Sequence, residues 1–165
     1  MSFLGLRSAA VRAHFAGPSN RFYKALFKAG LTSRLIDCRH GYSEGDIEEL
    51  TRAGIGITNV YEKASRAETD VPLADIVAGG ERLEKRVREL NPDVVCVLGL
   101  GAFRKAFGIK KCKRGKQDRK IGGVETWVIG NPSGLNGGET VDMHADWYKK
   151  VALRAGIQVM RVNDS

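Results

Sequence analysis

The chain has 165 residues, 42% of them hydrophobic, and a formal net charge of +8. Residues 1–165 are predicted to form a single domain, because this length supports one buried core and is short for two. No apolar run approaches the roughly 18 residues of a membrane span, no signal peptide is recognisable, and three scattered cysteines indicate neither a disulfide framework nor a metal cluster. We expect a cytoplasmic monomer with reduced cysteines.

Helices and strands alternate along the chain. In chain order, the apolar periodicity and the glycine and proline positions predict helix 21–30, helix 44–53, strand 54–60, helix 74–90, strand 94–98, helix 102–107, strand 124–129 and helix 140–154. Ser19 or Asn20 is expected to cap the first helix. The order predicts an α/β fold, a three-layer α/β/α sandwich with a mainly parallel central sheet, whose functional loops lie at the carboxyl ends of its strands.

Positive charge is concentrated in residues 104–120, which we call the basic segment. It holds nine Lys and Arg residues against one Asp, a net charge equal to that of the whole chain. Its cations are Arg104, Lys105, Lys110, Lys111, Lys113, Arg114, Lys116, Arg119 and Lys120. Such a cluster favours a polyanion, because each neutralised phosphate adds affinity that does not depend on sequence. The alternative is a solvated, unstructured charged loop.

A glycine-rich loop follows the strand 124–129 and reads Asn131-Pro132-Ser133-Gly134-Leu135-Asn136-Gly137-Gly138. Glycine and proline are typical of loops, and a lone leucine among them has no evident core to join. Beside a basic segment, Leu135 indicates a wedge that enters a base stack when a nucleotide is extruded. The alternative is a leucine that packs back on its own domain.

Six short motifs follow one another from Gly5 to Leu135. They are Gly5-Leu6-Arg7-Ser8-Ala9-Ala10, His14 to Tyr23, Gly56-Ile57-Thr58-Asn59, Ala78-Gly79-Gly80, Gly115-Lys116-Gln117 and Asn131-Pro132-Ser133-Gly134-Leu135. As an ordered set, continuing to about residue 155, they resemble the mismatch-specific uracil-DNA glycosylase and thymine-DNA glycosylase family. The resemblance implies excision of uracil, and of thymine or related damaged pyrimidines, from mispairs with guanine in double-stranded DNA, without a metal or an organic cofactor.

The resemblance also assigns roles to individual residues. Phe15 corresponds to the ring that stacks on the extruded base, and Asn59 and Asn131 to positions near the target nucleotide. Leu135 corresponds to the wedge. The other DNA contacts implied by the resemblance or the charge are Ser8, Ser133, Gly134, Asn136, Lys111, Lys113 and Lys116. Simpler structural roles remain open for several of them: Phe15 in the core, Asn131 as a turn cap, and the serines bonded to their own turns.

One motif departs from the family. In the family, the first strand ends in Gly-Ile-Asn-Pro-Gly, and the asparagine of this motif positions the attacking water. This chain instead begins Met1-Ser2-Phe3-Leu4-Gly5. Phe3 therefore stands at the asparagine position, and a phenyl ring cannot hold a water by hydrogen bonds. We expect the family's first strand to be missing, either because the true start lies upstream of Met1 or because the fold is altered.

Two further expectations concern the missing asparagine and the C-terminus. Asp70 and Glu68 are candidate replacements for the water-positioning residue, although the simpler interpretation of each is an ordinary surface acid. Residues 156–165 are predicted to be a C-terminal extension, in which 157–162 alternate well enough for a strand.

The alternative to a glycosylase is a family member that binds mispaired or damaged DNA without cleaving it. A nucleotide-binding enzyme that uses Gly99-Leu100-Gly101 is a weaker third class, because the known phosphate-loop spacings are absent.

Overall fold

Alternating helices and strands form the described part of the chain. This computed structural model describes residues 2–4, 21–37, 43–58, 71–132 and 137–160. Residues 2–4 are described by their backbone alone. The elements are β1 (Ser2–Leu4), α1 (Phe22–Lys28), α2 (Glu44–Arg52), β2 (Gly56–Thr58), α3 (Leu73–Leu90), β3 (Val94–Leu98), α4 (Leu100–Phe107), β4 (Gly115–Lys116), β5 (Glu125–Ile129) and α5 (Val141–Arg154). The predicted α/β fold class is confirmed. Among the described helices, none is long and apolar enough to cross a membrane.

The chain divides into two compact units. The first unit comprises Met1–Leu4 and Thr58–Gly130, and the second comprises Gly5–Ile57 and Asn131–Ser165. Strands β1, β3, β4 and β5 and helices α3 and α4 belong to the first unit, whereas α1, α2 and α5 belong to the second. The basic segment therefore lies wholly within the first unit.

The described strands form one sheet in the order β2-β1-β3-β5-β4. Its central pair, β3 and β5, is parallel, and Cys96 lies opposite Trp127. The pairs β1–β3 and β4–β5 are antiparallel. The connection 117–124 is too short for the crossover that a parallel neighbour needs, which accounts for the direction of β4. The parallel pairing expected from the sequence thus lies at the centre of a sheet with antiparallel flanks.

Strand β1 lies between β2 and β3, next to the centre of the sheet. It runs antiparallel to β3, with Phe3 opposite Cys96 and Leu4 opposite Val95. The sequence predicts no strand before Gly5, yet Ser2–Leu4 pair with β3. Phe3 therefore lies within a strand, and its backbone is held in the sheet.

Buried apolar side chains of α3, α4, β3 and β5 form the core of the first unit. Its members are Val71, Ile76, Leu83, Val87, Val95, Val97, Phe103, Ala106, Ile121, Val124 and Val128. The two helices approach closely at Gly80, where an added Cβ would lie 3.0 Å from the carbonyl oxygen of Ala106. A larger side chain at this position would force α3 and α4 apart.

Helix α4 begins at Leu100, two residues before its predicted start. Gly99 adopts a φ of 131°, a conformation that favours glycine, and this allows β3 to turn directly into the helix. Leu100 and Gly101 thus belong to the first turn of α4. The segment 99–101 is a direct strand-to-helix junction, and the third class, the nucleotide-binding enzyme, still lacks the spacing of a known phosphate loop.

Helices α1 and α5 pack together in the second unit. The rings of Phe22 and Tyr148 meet edge to face with centroids 5.6 Å apart, and Lys28 pairs with Asp142. The prediction of a Ser19 or Asn20 cap is wrong, because Arg21 occupies the N-cap position and makes no capping hydrogen bond with its side chain. The strand expected over 157–162 does not form over 157–160, where the Met160 N–H instead donates to the Gly30 carbonyl at 2.8 Å.

Candidate nucleic-acid interface

The basic segment runs from the last turn of α4 through β4 and into the turn before β5. All nine of its Lys and Arg side chains are exposed. The segment nevertheless belongs to the folded first unit, because β4 pairs with β5 and its loop carbonyls accept hydrogen bonds. The alternative of an unstructured charged loop is therefore not what the structure shows. Folding fixes the positions from which these cations project.

A buried threonine holds the turn between β4 and β5. The Thr126 side chain is fully buried, and its Oγ1 accepts the Ile121 N–H at 2.9 Å and donates to the Val124 carbonyl at 3.0 Å. The Thr126 carbonyl accepts the Gln117 N–H at 2.8 Å, directly after Lys116 pairs with Trp127. These backbone groups are hydrogen-bonded within the hairpin, as buried polar groups need to be. The exposed side chains of the hairpin include its cations.

Glu125 lies between two side chains of this hairpin. The Trp127 Nε1–H donates to Oε1 of Glu125 at 3.0 Å, and Lys116 Nζ lies 3.9 Å from Oε2. Lys116 therefore has an acidic neighbour within its own hairpin. Because the Lys116 ammonium group is exposed and the separation is long, the pair contributes at most about 1 kcal/mol, so a phosphate can compete for this group.

Arg119 connects the basic segment to both helices of the first unit. Its guanidinium pairs with Glu84 on α3 and lies 5.0 Å from the centroid of the Phe107 ring on α4. Glu84 also pairs with Arg88 at 3.0 Å. Arg119 thus contributes to the packing of its own unit, and its charge is less available to an external anion than the charges of Lys111 and Lys113.

Cys112 is half-buried within the basic segment, where its Sγ lies 3.9 Å from the Leu100 carbonyl oxygen. Burial raises the pKa of the thiol above its ordinary value, although the guanidinium of Arg104 acts in the opposite direction. The thiol is therefore protonated at neutral pH. A protonated thiol is a poor nucleophile, so Cys112 gives no indication of covalent catalysis.

The structure places four of the predicted site residues. Lys111, Lys113 and Lys116 are exposed in the first unit, and their contacts with DNA stay a prediction. Asn131 is exposed at the start of the glycine-rich loop in the second unit, and the next residue, Pro132, accepts the Arg21 N–H at 2.9 Å. The backbone of Phe3 lies in β1. Outside the described residues are Ser8, Phe15, Asn59, Glu68, Asp70, Ser133, Gly134, Leu135 and Asn136.

Two side chains that shape the basic segment were not predicted as site residues. Gln117 donates to two loop carbonyls, and Glu125 lies beside Lys116. The motif Gly115-Lys116-Gln117 resembles the family, but a two-residue strand has no periodic pattern from which its pairing could be predicted. Register against β5 alone brings Glu125 and Lys116 together.

The chain matches a known protein family over most of its length. The family model described as the Uracil DNA glycosylase superfamily matches residues 4–155. This range includes the basic segment, the glycine-rich loop and every described element after β1.

Proposed function

The chain belongs to the uracil-DNA glycosylase superfamily, and from this premise we propose that it removes uracil, and thymine or related damaged pyrimidines, from mispairs with guanine. Membership implies a DNA glycosylase that acts on DNA. The folded basic segment, with nine exposed cations in one unit, is the observation that carries the DNA-binding part of the proposal, and the preference for mispairs rests on the resemblance of the six motifs. Phosphate contacts from such cations position a protein on duplex DNA without reading its sequence.

The proposed reaction breaks the bond between the sugar C1′ and the pyrimidine N1. Positive charge develops on the sugar and negative charge on the departing base, so the site has to supply hydrogen-bond donors to the base and a water to the sugar. The base has to leave the helix before either can act. In the proposal Phe15 stacks on the extruded base, Asn59 and Asn131 contact the target nucleotide, and Leu135 fills the gap in the stack.

A second candidate function is binding to mispaired or damaged DNA without cleavage. The observation that favours it is Phe3, which stands where the family places its water-positioning asparagine and which pairs with Cys96 in the sheet. A phenyl ring offers no hydrogen bond to a water. In the proposal, hydrolysis requires a replacement, for which Asp70 and Glu68 are the candidates.

Duplexes of one sequence that carry U:G, T:G, U:A or C:G at a single position separate the two functions. Excision leaves an abasic site that alkali converts to a strand break. We expect breaks at U:G, fewer at T:G, and none at C:G. Retardation of the U:G duplex without strand breaks would favour the binding function. Equal breaks at U:G and U:A would contradict the proposed preference for mispairs, and neither retardation nor breaks would overturn both functions.

Replacing the proposed wedge should affect extrusion more than encounter. We expect Leu135→Ala to slow single-turnover excision from U:G at least about tenfold, because unstacking a base costs a few kcal/mol and about 1.4 kcal/mol corresponds to a tenfold rate change. Initial affinity for undamaged duplex should change less than about threefold, because its phosphate contacts remain. Leu153→Ala is the matched control, since Leu153 is 59% exposed. Equal excision rates for the two variants would exclude Leu135 as the wedge.

A further inference from the structure

Gln117 braces the loop that carries Lys113. Its Nε2 lies 2.6 Å from the Lys113 carbonyl oxygen and 3.0 Å from the Gly115 carbonyl oxygen. Both neighbours are acceptors, and a carboxamide nitrogen has two hydrogens, so one side chain satisfies both carbonyls. The side chain is half-buried, whereas that of Lys113 is exposed. The carboxamide thus bridges the Lys113 and Gly115 carbonyls, and the Lys113 side chain remains exposed.

The β4–β5 hairpin does not use this side chain for its own pairing. The backbone N–H of Gln117 already donates to the Thr126 carbonyl at 2.8 Å. Both side-chain donors are directed instead to the loop at 113–115. Gly115 is buried with a φ of 114°, a conformation that favours glycine. This conformation and the two Gln117 bonds together fix the course of the backbone just after Lys113.

This arrangement has an electrostatic consequence for an approaching anion. A carbonyl oxygen carries partial negative charge and repels phosphate, whereas a Lys ammonium attracts it. Because the Gln117 carboxamide donates to both carbonyls, it offsets part of their negative partial charge, and a phosphate approaching Lys113 meets less repulsion. The same bonds reduce the number of conformations from which Lys113 must be selected on binding, which lowers the entropic cost of the contact.

We propose that Gln117 is a positioning residue for DNA binding, acting through the Lys113 loop on a backbone phosphate. The inference rests on the proposed function, because it assumes that duplex DNA occupies the basic segment. Gln117 itself need not touch the DNA. Its effect should therefore disappear when Lys113 can no longer contact a phosphate, and this dependence can be measured.

A double-mutant cycle between Gln117→Met and Lys113→Ala provides the test. Methionine keeps an unbranched side chain, removes both donors and leaves the net charge unchanged. Affinity for a C:G duplex is measured at several salt concentrations for the wild type, both single variants and the double variant. Gln158→Met is the matched control, because Gln158 is the other glutamine of the chain and is exposed in the second unit. Thermal unfolding of each variant is recorded in parallel.

The salt slope is the magnitude of the slope of log K against the logarithm of the salt concentration. We expect Gln117→Met to raise Kd about three- to tenfold and to lower the salt slope by about one, the change for one phosphate contact. The double variant should bind like Lys113→Ala alone, because the two residues share one contact. A purely structural role would lower the unfolding temperature and leave the slope unchanged, which would overturn the inference. Additive losses in the double variant, or equal effects of Gln117→Met and Gln158→Met, would overturn it as well.

The outcome is separable from that of the proposed function. A wild type that binds duplex but leaves U:G uncleaved would exclude the glycosylase activity, whereas the cycle would still decide the role of Gln117. Excision of uracil by a protein whose Gln117→Met variant binds normally would exclude the Gln117 inference alone. Absence of any duplex binding by the wild type would overturn both.

Discussion

Charge reversal at Lys111 and Lys113 should reduce affinity for duplex DNA about 100-fold near physiological salt and lower the salt slope by about two. Both side chains are exposed in the folded basic segment. Each is expected to neutralise one phosphate, and each released counterion contributes about 0.9 to the slope. Binding of the wild type and of the Lys111→Glu/Lys113→Glu variant to a C:G duplex, measured between about 50 and 200 mM salt, gives both quantities.

Total charge alone could produce part of this loss, so the control has to change it equally. Arg82→Glu/Lys85→Glu also lowers the net charge from +8 to +4, since each substitution replaces a positive with a negative charge. Arg82 and Lys85 are exposed on α3, in the same unit but outside the basic segment. The control should weaken binding modestly and leave the slope nearly unchanged. Matching slopes for the two double variants would remove Lys111 and Lys113 from the DNA interface.

Local patterns in the sequence predict the elements of the first unit whose burial is continuous or periodic. The apolar run at Val94–Leu98 predicts β3 to the residue, since every position of that strand is buried. Helix α3 was predicted within one residue of Leu73–Leu90, because its buried positions follow a helical period and Asn91-Pro92 ends it. These features depend on neighbours along the chain, which are visible in the sequence.

Features that depend on distant pairing were missed. Strand β4 has two residues and exists because Gly115 and Lys116 pair with β5. The antiparallel direction of β1 is likewise a property of its pairing with the distant strand β3. The run 157–160 alternates like a strand but forms none, and the Met160 N–H bonds to Gly30 instead. Alternation gives a segment the capacity to pair, whereas an available partner decides whether it does.

The candidate site divides in the same way. Composition alone predicts an electrostatic surface at Lys111, Lys113 and Lys116, and all three are exposed. It does not reveal that Arg119 is held by Glu84 and Phe107, because those contacts span α3, α4 and the turn before β5. Nine cations in one segment therefore differ in availability. Counting charge overestimates the surface offered to DNA, and the structure identifies which members already have anionic neighbours.

Phe103 is linked to the basic segment through Phe107, whose ring lies beside both Phe103 and Arg119. Its side chain is fully buried in the core of the first unit, and its ring lies 5.4 Å from that of Phe107. The other side of this contact is Arg119, whose guanidinium lies 5.0 Å from the Phe107 ring centroid. A cavity at Phe103 would therefore remove core packing and loosen the ring on which a cation of the basic segment rests.

We expect Phe103→Ala to lower the free energy of unfolding by about 3–5 kcal/mol, the usual cost of removing a buried phenyl group and leaving a cavity. For a chain of this size, that loss corresponds to a fall in the unfolding midpoint of roughly 10 °C. Phe27→Ala, the matched control, should cost less than about 1 kcal/mol because Phe27 is 40% exposed. Thermal and urea unfolding measure both variants. A similar loss in the two would show that Phe103 is not a packing centre of its unit.

Below the unfolding temperature, Phe103→Ala should keep the salt slope set by Lys111 and Lys113, because a stability defect and the loss of a phosphate contact are separate changes.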